Sequence, residues 1–260
     1  MSTTEATTED DGSEASAAVP PPVWVAVEKG MLSRVLYPNP VCLLSVWDVS
    51  QCRANVMTIT WLTPVNNQGG FICSVNCNRY TASFVSSPGA LFVLNVPVRG
   101  MEELVLAIGG CSGANVDKFT ELGIVTCAPG SNDASVLDTS RSRSAADVDA
   151  DCGEVGVPTN SKKPKLSRQE VARQVVDDAA AKSVAIRGCA AHVICRVESA
   201  QTDEGHWTLR CSQLAAWCNC DYWDGKNFLS RSPTAAPFLT FLGSKVFGYV
   251  VSSDHAGLQE

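Results

Sequence analysis

The sequence predicts a mainly β protein, an antiparallel barrel with a few peripheral helices. Six or seven short runs read as strands, each bounded by turn residues such as Gly, Pro or Asn. Few helical periods separate them, which favours an antiparallel barrel over a doubly wound sheet. No repeat of 20 to 50 residues is visible.

Residues 41–47 form an apolar run ended by turn residues at 48–51. Residues 55–62 alternate, with Val56, Thr58 and Thr60 on one face and Met57, Ile59 and Trp61 on the other. Strands at 71–75 and 90–95 follow, and three more are expected at 191–199, 207–217 and 247–251. Short helices are predicted at 83–86 and 115–122, and a longer one at 101–108 closed by Gly109-Gly110. Residues 168–182 read as a helix that Ser167 caps, with Glu170 three residues later and a stripe of Val171, Val175, Val176 and Ala179.

The chain has 260 residues with 45% hydrophobic and 18% charged, ordinary for a globular core. Its formal net charge of -7 argues against generic binding to a phosphate backbone. No apolar run approaches the ~20 residues of a membrane helix. Residues 1–22 hold five acidic side chains and no basic ones, so they read as a disordered acidic tail rather than an export signal. The domain is expected over 23–252, with a short tail at 253–260.

Nine aromatic residues precede position 120, nine follow 206, and none lies between. Within that gap, 128–167 is rich in Ser, Asp, Gly and Pro without apolar period, and reads as a flexible surface insertion. Lys162-Lys163-Pro164-Lys165 superficially resembles a nuclear-import signal, but a solvated charge cluster in a flexible loop is the favoured reading, since such patterns are loose.

Twelve cysteines without an export signal suggest a reducing, cytoplasmic setting, with the thiols as small buried hydrophobes. Zinc is the sharper alternative, with Cys218 and Cys220, Cys73 and Cys77, or Cys189, His192 and Cys195 as ligands. None of these has the paired C-x2-C spacing of a structural site.

Several enzyme constellations are absent. The sequence has no G-x-S-x-G elbow and no H-E-x-x-H. The glycine-rich stretch 109–115 follows a predicted helix rather than a strand, so it is not a dinucleotide fingerprint. With only His192, His206 and His255, a Ser/His/Asp triad has little material. What remains is a donor-rich segment between strand and helix, containing Asn76, Asn78, Arg79, Tyr80 and Thr81. Such a cluster can bind a phosphate, although Asn-Arg at a strand-to-helix turn is also common without one.

An ordered series of motifs extends this reading. Tyr37-Pro-Asn-Pro-Val41, Asn55-Val-Met-Thr-Ile-Thr-Trp61, Asn78-Arg79-Tyr80-Thr81 and Phe92-Val-Leu-Asn-Val-Pro97 come first. Ser112-Gly-x3-Asp117-Lys118-Phe119, Ala191-His192-x2-Cys195, Gly205-His206 and Ala236-Pro-Phe-Leu-Thr-Phe-Leu-Gly243 follow. Together they resemble the flavin reductase-like family over most of the chain outside the insertion. The resemblance implies a Greek-key split β-barrel that binds FMN, works as a homodimer and takes hydride from NAD(P)H.

By the same resemblance, Met57, Thr58, Thr60 and Trp61 would edge the isoalloxazine and ribityl chain. Asn76, Asn78, Arg79, Tyr80 and Thr81 would hold the ribityl chain and phosphate, Lys118 and Phe119 would close the pocket, and His206 would face the nicotinamide. Taken singly, Met57, Trp61 and Phe119 read more readily as core, and Lys118 as a solvated partner of Asp117; taken jointly and in order, the flavin reading prevails. The chain departs from the family pattern at Asn66-Asn-Gln-Gly-Gly70, where a proline-rich turn is usual, and in the insertion. The apolar segment 237–247 is expected at a subunit interface. Alternatives are a non-catalytic flavin-binding or storage protein, and an interaction protein that docks partners through 128–167.

Overall fold

A computed structural model describes residues 25–133 and 167–252. The acidic tail, the short C-terminal tail and most of the insertion, including Lys162–Lys165, lie outside the described residues. The chain divides into two compact units at Val35 and Leu36, and a 3-10 helix, Lys29–Leu36, spans the boundary.

The described part of the second unit is mainly β. Its main sheet contains β2 (Cys42–Asp48), β3 (Arg53–Ile59), β4 (Leu62–Pro64), β5 (Gly70–Asn76), β6 (Leu91–Val96), β9 (Ala191–Asp203) and β10 (His206–Cys218). These seven strands lie in the order β3-β2-β6-β9-β10-β5-β4, and every pairing is antiparallel. The first and last strands of that order are consecutive in the chain, separated only by Thr60 and Trp61. One segment therefore pairs with β2 through its first half and β5 through its second, and the sheet must curl. Ser74 N donates to the Trp61 carbonyl at 2.9 Å and carries the pairing across the corner.

A period of two fills the barrel. Cys42, Leu44 and Val46 of β2 face Phe71, Cys73 and Val75 of β5, Phe92 and Leu94 of β6, and Cys195, Val197, Leu209 and Cys211 of β9 and β10 in one buried cluster. Four of the cysteines are thus interior hydrophobes, as expected, and burial pushes the Cys42 thiol up to about 12. Residues on the opposite parity build a second layer. Val41, Leu43 and Val56 pack with Val105 and Ile108 of α2 (Glu102–Gly110) and with Leu239 of β11 (Leu239–Gly243). Thus Val56 and Ile59 lie on different faces of β3, as the alternation predicts.

Apart from the 14-residue helix α4 (Arg168–Ala181), the remaining elements are short. They are β1 (Asn39–Pro40), α1 (Ala82–Val85), α3 (Lys118–Glu121), β7 (Thr126–Cys127), β8 (Ala185–Ile186), a 3-10 helix (Cys220–Tyr222) and β12 (Val246–Tyr249). β1, β11 and β12 form a small separate sheet. The two-residue ladder of β7 and β8 closes the base of the insertion. Asn95 fixes that base to the barrel: its amide nitrogen donates to the Leu43 carbonyl at 2.7 Å, and its oxygen accepts from Ile186 N at 2.8 Å. Ser45 Oγ adds a bond to the Val184 carbonyl at 2.6 Å.

Several boundaries differ from expectation. α2 runs through Gly109 and Gly110 instead of ending there; extended Cys111 ends it, its thiol bonded to the Ala107 carbonyl at 3.3 Å. α3 is shorter than 115–122 because Asp117 caps it, accepting from Phe119 N and Thr120 N. The Ser167–Glu170 capping box is present, but Val171 and Val175 are 48% and 43% exposed, and only Ala179 of the stripe is buried. The apolar segment 237–247 enters a hairpin of β11 and β12, of which the sequence pattern shows only the second strand, expected at 247–251.

Candidate functional site

A cavity of about 660 Å³ opens beside β3. Its walls are Met57, Thr58 and Thr60, the turn Asn78-Arg79-Tyr80-Thr81, the end of α2 through Gly110 with the loop 111–113, Lys118, and Phe241, Lys245 and Phe247 from the hairpin. Eight of the twelve residues singled out in the sequence meet here.

The turn is set locally. Asn76 Oδ1 accepts from Asn78 N at 2.9 Å, and the Asn76 carbonyl accepts from Arg79 N at 3.0 Å. These bonds reverse the chain between β5 and α1 and leave Asn78 and Arg79 exposed at the cavity. Thr81 plays a different part, since it is buried and its hydroxyl accepts from Asn55 Nδ2 at 2.9 Å. Thr58 is also engaged, donating to the Val105 carbonyl at 2.9 Å and tying α2 to β3.

Tyr80 is a wall more than a donor. Its hydroxyl donates to Asp48 Oδ2 at 2.7 Å and accepts from Gln51 Nε2 at 2.9 Å. Burial alone would raise the Asp48 carboxyl. The Ser50 and Tyr80 hydroxyls and the Gln51 and Ser50 amides outweigh it and hold the group below its ordinary range. The same carboxylate raises the Tyr80 phenol, which stays neutral. Gly113 completes this corner. A methyl group there would lie 3.0 Å from the Tyr80 ring and collide with the Asn55 amide, so the close approach needs glycine.

Lys118 carries the strongest electrostatic statement. It is only 4% exposed, and its ammonium donates to the Val56 carbonyl at 3.0 Å and the Ile108 carbonyl at 2.7 Å. Its third N–H has no partner among the described residues. Burial, with the Arg79 charge acting in the same direction, lowers its pKa. The reading of Lys118 as a solvated partner of Asp117 is therefore wrong: Asp117 is occupied in capping α3. Arg79, Lys118 and Lys245 all line the cavity, and no Asp or Glu does. Such a wall favours an anionic ligand.

Four of the expected residues lie outside the cavity walls. Phe119 packs in the outer core beneath α2. Trp61, Asn76 and His206 form their own group at the barrel end, because the first residue of β10 pairs with the last of β5. The Trp61 and His206 rings are 5.5 Å apart, and Asn76 Nδ2 is 3.5 Å from His206 Nε2. The zinc readings find no support: among the described residues no three metal-ligating side chains converge. Cys195 faces the barrel interior, whereas His192 Nε2 bonds the Ile186 carbonyl at 2.9 Å and Nδ1 accepts from Gly130 N. Burial lowers the His192 pKa, which suits this neutral ring.

No family model and no curated protein matches the chain. Solved structures do. A flavoredoxin from Methanosarcina acetivorans is 19% identical with a TM-score of 0.57, covering 92% of this chain and 97% of its own. An FMN-binding protein from Thermus thermophilus with bound p-hydroxybenzaldehyde is 16% identical with a TM-score of 0.54, covering 88% and 97%. The NADH:FAD oxidoreductase SgcE6 from Streptomyces globisporus, in complex with NAD and FAD fragments, is 13% identical with a TM-score of 0.51, covering 87% and 94%. The fold is a flavin reductase-like split barrel.

In this split barrel, the glycine-rich stretch 109–113, which ends α2 and continues past it, and the hairpin residues Phe241, Lys245 and Phe247 belong to the cavity without being predicted from the sequence. The stretch has a signal, its glycines, but they fit no dinucleotide fingerprint and so point to no ligand. The hairpin has none, because its distance in sequence from β3 hides a shared cavity that only folding makes. Its tip is conformationally costly: Ser244 and Lys245 have φ of 50° and 68°, a left-handed conformation that costs a side-chain-bearing residue about 1 kcal/mol.

Proposed function

We propose that the chain binds FMN in the 660 Å³ cavity and serves as an NAD(P)H-dependent flavin oxidoreductase. The observation that carries this reading is Lys118, a buried ammonium with a spare N–H in a cavity that has no carboxylate on its walls. A buried cation without a counter-charge is costly, and an anionic ligand relieves that cost. These residues fit a flavin phosphate: Arg79 and Asn78 at the open side and Lys118 at the closed side.

Each side chain then has a defined role. Arg79 and Lys118 hold the phosphate; Asn78 adds an amide. Met57, Thr60 and Tyr80 shape the walls, Tyr80 held in place by Asp48 and Gln51. Thr58 and Thr81 fix the walls through their bonds to Val105 and Asn55. Trp61 follows Thr60, Asn76 lies two residues before Asn78, and His206 pairs with Asn76 across the strands; the three serve the nicotinamide side, with His206 as a positioning group. The redox chemistry itself is supplied by flavin, which explains the lack of a nucleophile or paired carboxylate.

A homodimer belongs to the same proposal. Leu242, Val246, Tyr249 and Val251 remain exposed around the hairpin, and a two-fold interface lets such a patch cover itself. Sedimentation at micromolar concentration checks it, and a monomer with stoichiometric flavin would refute it. The described cysteines are all unpaired, which supports a reducing, cytoplasmic setting. No helix among the described residues is long and apolar enough to cross a membrane.

The decisive experiment is anaerobic titration of the flavin-loaded protein with NADH and with NADPH. Loss of the flavin absorbance near ~450 nm supports the proposal. A protein that binds FMN but is not bleached is a flavin-binding or storage protein. One that takes up FAD in preference corrects the cofactor, and one that takes up neither overturns the reading.

A further inference from the structure

Lys245 lies on the cavity wall and has no part in holding the flavin phosphate as proposed. It reaches the cavity from the turn between β11 and β12, whereas Arg79 and Lys118 come from elements near β3. Its ammonium has no hydrogen-bond or ion-pair partner among the described residues. Arg79 and Lys118 line the cavity together with β3 residues, and the Arg79 charge acts on Lys118, which suits one shared subsite. Two cations already match the double negative charge of a flavin phosphate. A third, on another wall, is surplus to it.

The hairpin tip adds a conformational argument. Ser244 and Lys245 occupy the two central turn positions with positive φ, where Asn-Gly is the ordinary choice. A lysine stands where glycine would fit with less strain. Phe241 and Phe247, with ring centroids 5.9 Å apart, hold the two strands behind it against the outer core. The lysine is exposed where Lys118 is buried. A buried cation suits a resident ligand, and an exposed one suits a ligand that arrives and leaves in every cycle.

We propose that Lys245 is a second phosphate-binding point of this cavity, which holds a phosphate of the pyridine dinucleotide electron donor rather than that of the flavin. The inference rests on the flavin oxidoreductase reading and adds a binding residue to it. Two phosphate sources share this chemistry: the pyrophosphate common to NADH and NADPH, and the 2′-phosphate of NADPH alone.

The test compares flavin-loaded wild type with K245A and K245R. Flavin content per protomer, KM and kcat for NADH and NADPH, and equilibrium binding of ADP-ribose and 2′-phospho-ADP-ribose are measured. K245A is expected to keep its flavin and to raise KM and the ADP-ribose dissociation constants roughly five- to tenfold, with K245R restoring most of the loss. The effect falls on KM rather than kcat and shrinks at high salt, as an exposed charge requires. Weakening of both nucleotides assigns the pyrophosphate, and weakening of the 2′-phosphorylated ones alone assigns the 2′-phosphate. Unchanged nucleotide binding in K245A overturns the inference, as does loss of flavin, which would place Lys245 at the flavin phosphate. Wild type that binds no flavin and no ADP-ribose defeats both readings; wild type that binds flavin while K245A matches it defeats only this one.

Discussion

The Lys118 ammonium lies 2.7 Å from the Ile108 carbonyl, the second-last peptide before α2 ends at Gly110. With the Val56 carbonyl at 3.0 Å, this bond joins the end of a helix, a barrel strand and the cavity through one buried charge. A carbonyl at a helix C-terminus carries partial negative charge and stabilises a cation. It does so only in part, since burial still lowers the lysine pKa.

That lowered pKa sets a pH dependence. At pH below the folded-state value both folded and unfolded lysines are protonated, and the cost of burying the charge is fully present. As pH rises from there toward the ordinary lysine value of about 10.4, the folded state loses its proton first and the ligand-free protein gains stability. Thermal unfolding of flavin-free protein is expected to show this gain, other groups contributing equally to wild type and K118M. The difference curve between them should rise with pH across that window, and a flat difference would refute the account. K118M should also bind FMN more weakly.

Arg79→Ala removes the exposed cation of the phosphate subsite while leaving the turn bonds of Asn76 intact. FMN affinity should fall by roughly 1.5–3 kcal/mol, about 10- to 150-fold, with little change in melting temperature. Titration of the flavin-free protein with FMN measures it, and unchanged affinity would count against the assignment.

Asp48→Asn probes the wall behind Tyr80. The native carboxyl is held below its ordinary range, so its contribution to stability is present above about pH 4, the unfolded value, and is lost as pH falls through the lower folded value. Acid unfolding of wild type should carry this loss, and D48N should lack it while being less stable than wild type at neutral pH. Parallel acid curves for the two proteins would show that Asp48 does not act as a charged acceptor.

Deletion of residues 131–164 should leave the barrel folded. The β7–β8 ladder, the close approach of Gly130 to the Trp217 ring and the Asn95 brace all lie outside the deleted stretch. Loop-closure cost varies only with the logarithm of loop length, so shortening the excursion changes little. The melting temperature is expected to stay within about 4 °C, the shift that 1 kcal/mol produces in a domain of this size. A larger fall would place part of the stretch in the core.

Local chemistry is legible in the sequence wherever near neighbours decide it. The period of two in residues 55–59 places Val56 and Ile59 on opposite faces, and Ser167 with Glu170 announces the start of α4. The turn at Asn78-Arg79-Tyr80-Thr81 is likewise readable as a cluster of polar groups between strand and helix. Tertiary structure decides what these groups do. Thr81 reads in sequence as a ligand contact, and its bond to Asn55, 26 residues away, makes it a brace. Tyr80 reads as a donor to phosphate, and Asp48 accepts its hydroxyl hydrogen instead. Lys118 gains its meaning only from burial beneath two carbonyls, and Lys245 only from a hairpin that shares a cavity with β3. Val171 and Val175 show the converse, an apolar stripe that local pattern assigns to a core and packing leaves in solvent. Periodicity and capping depend on residues a few positions apart, so a short window of sequence contains them. Burial, pKa and the walls of a cavity depend on groups brought together across the whole chain, and no local window holds them.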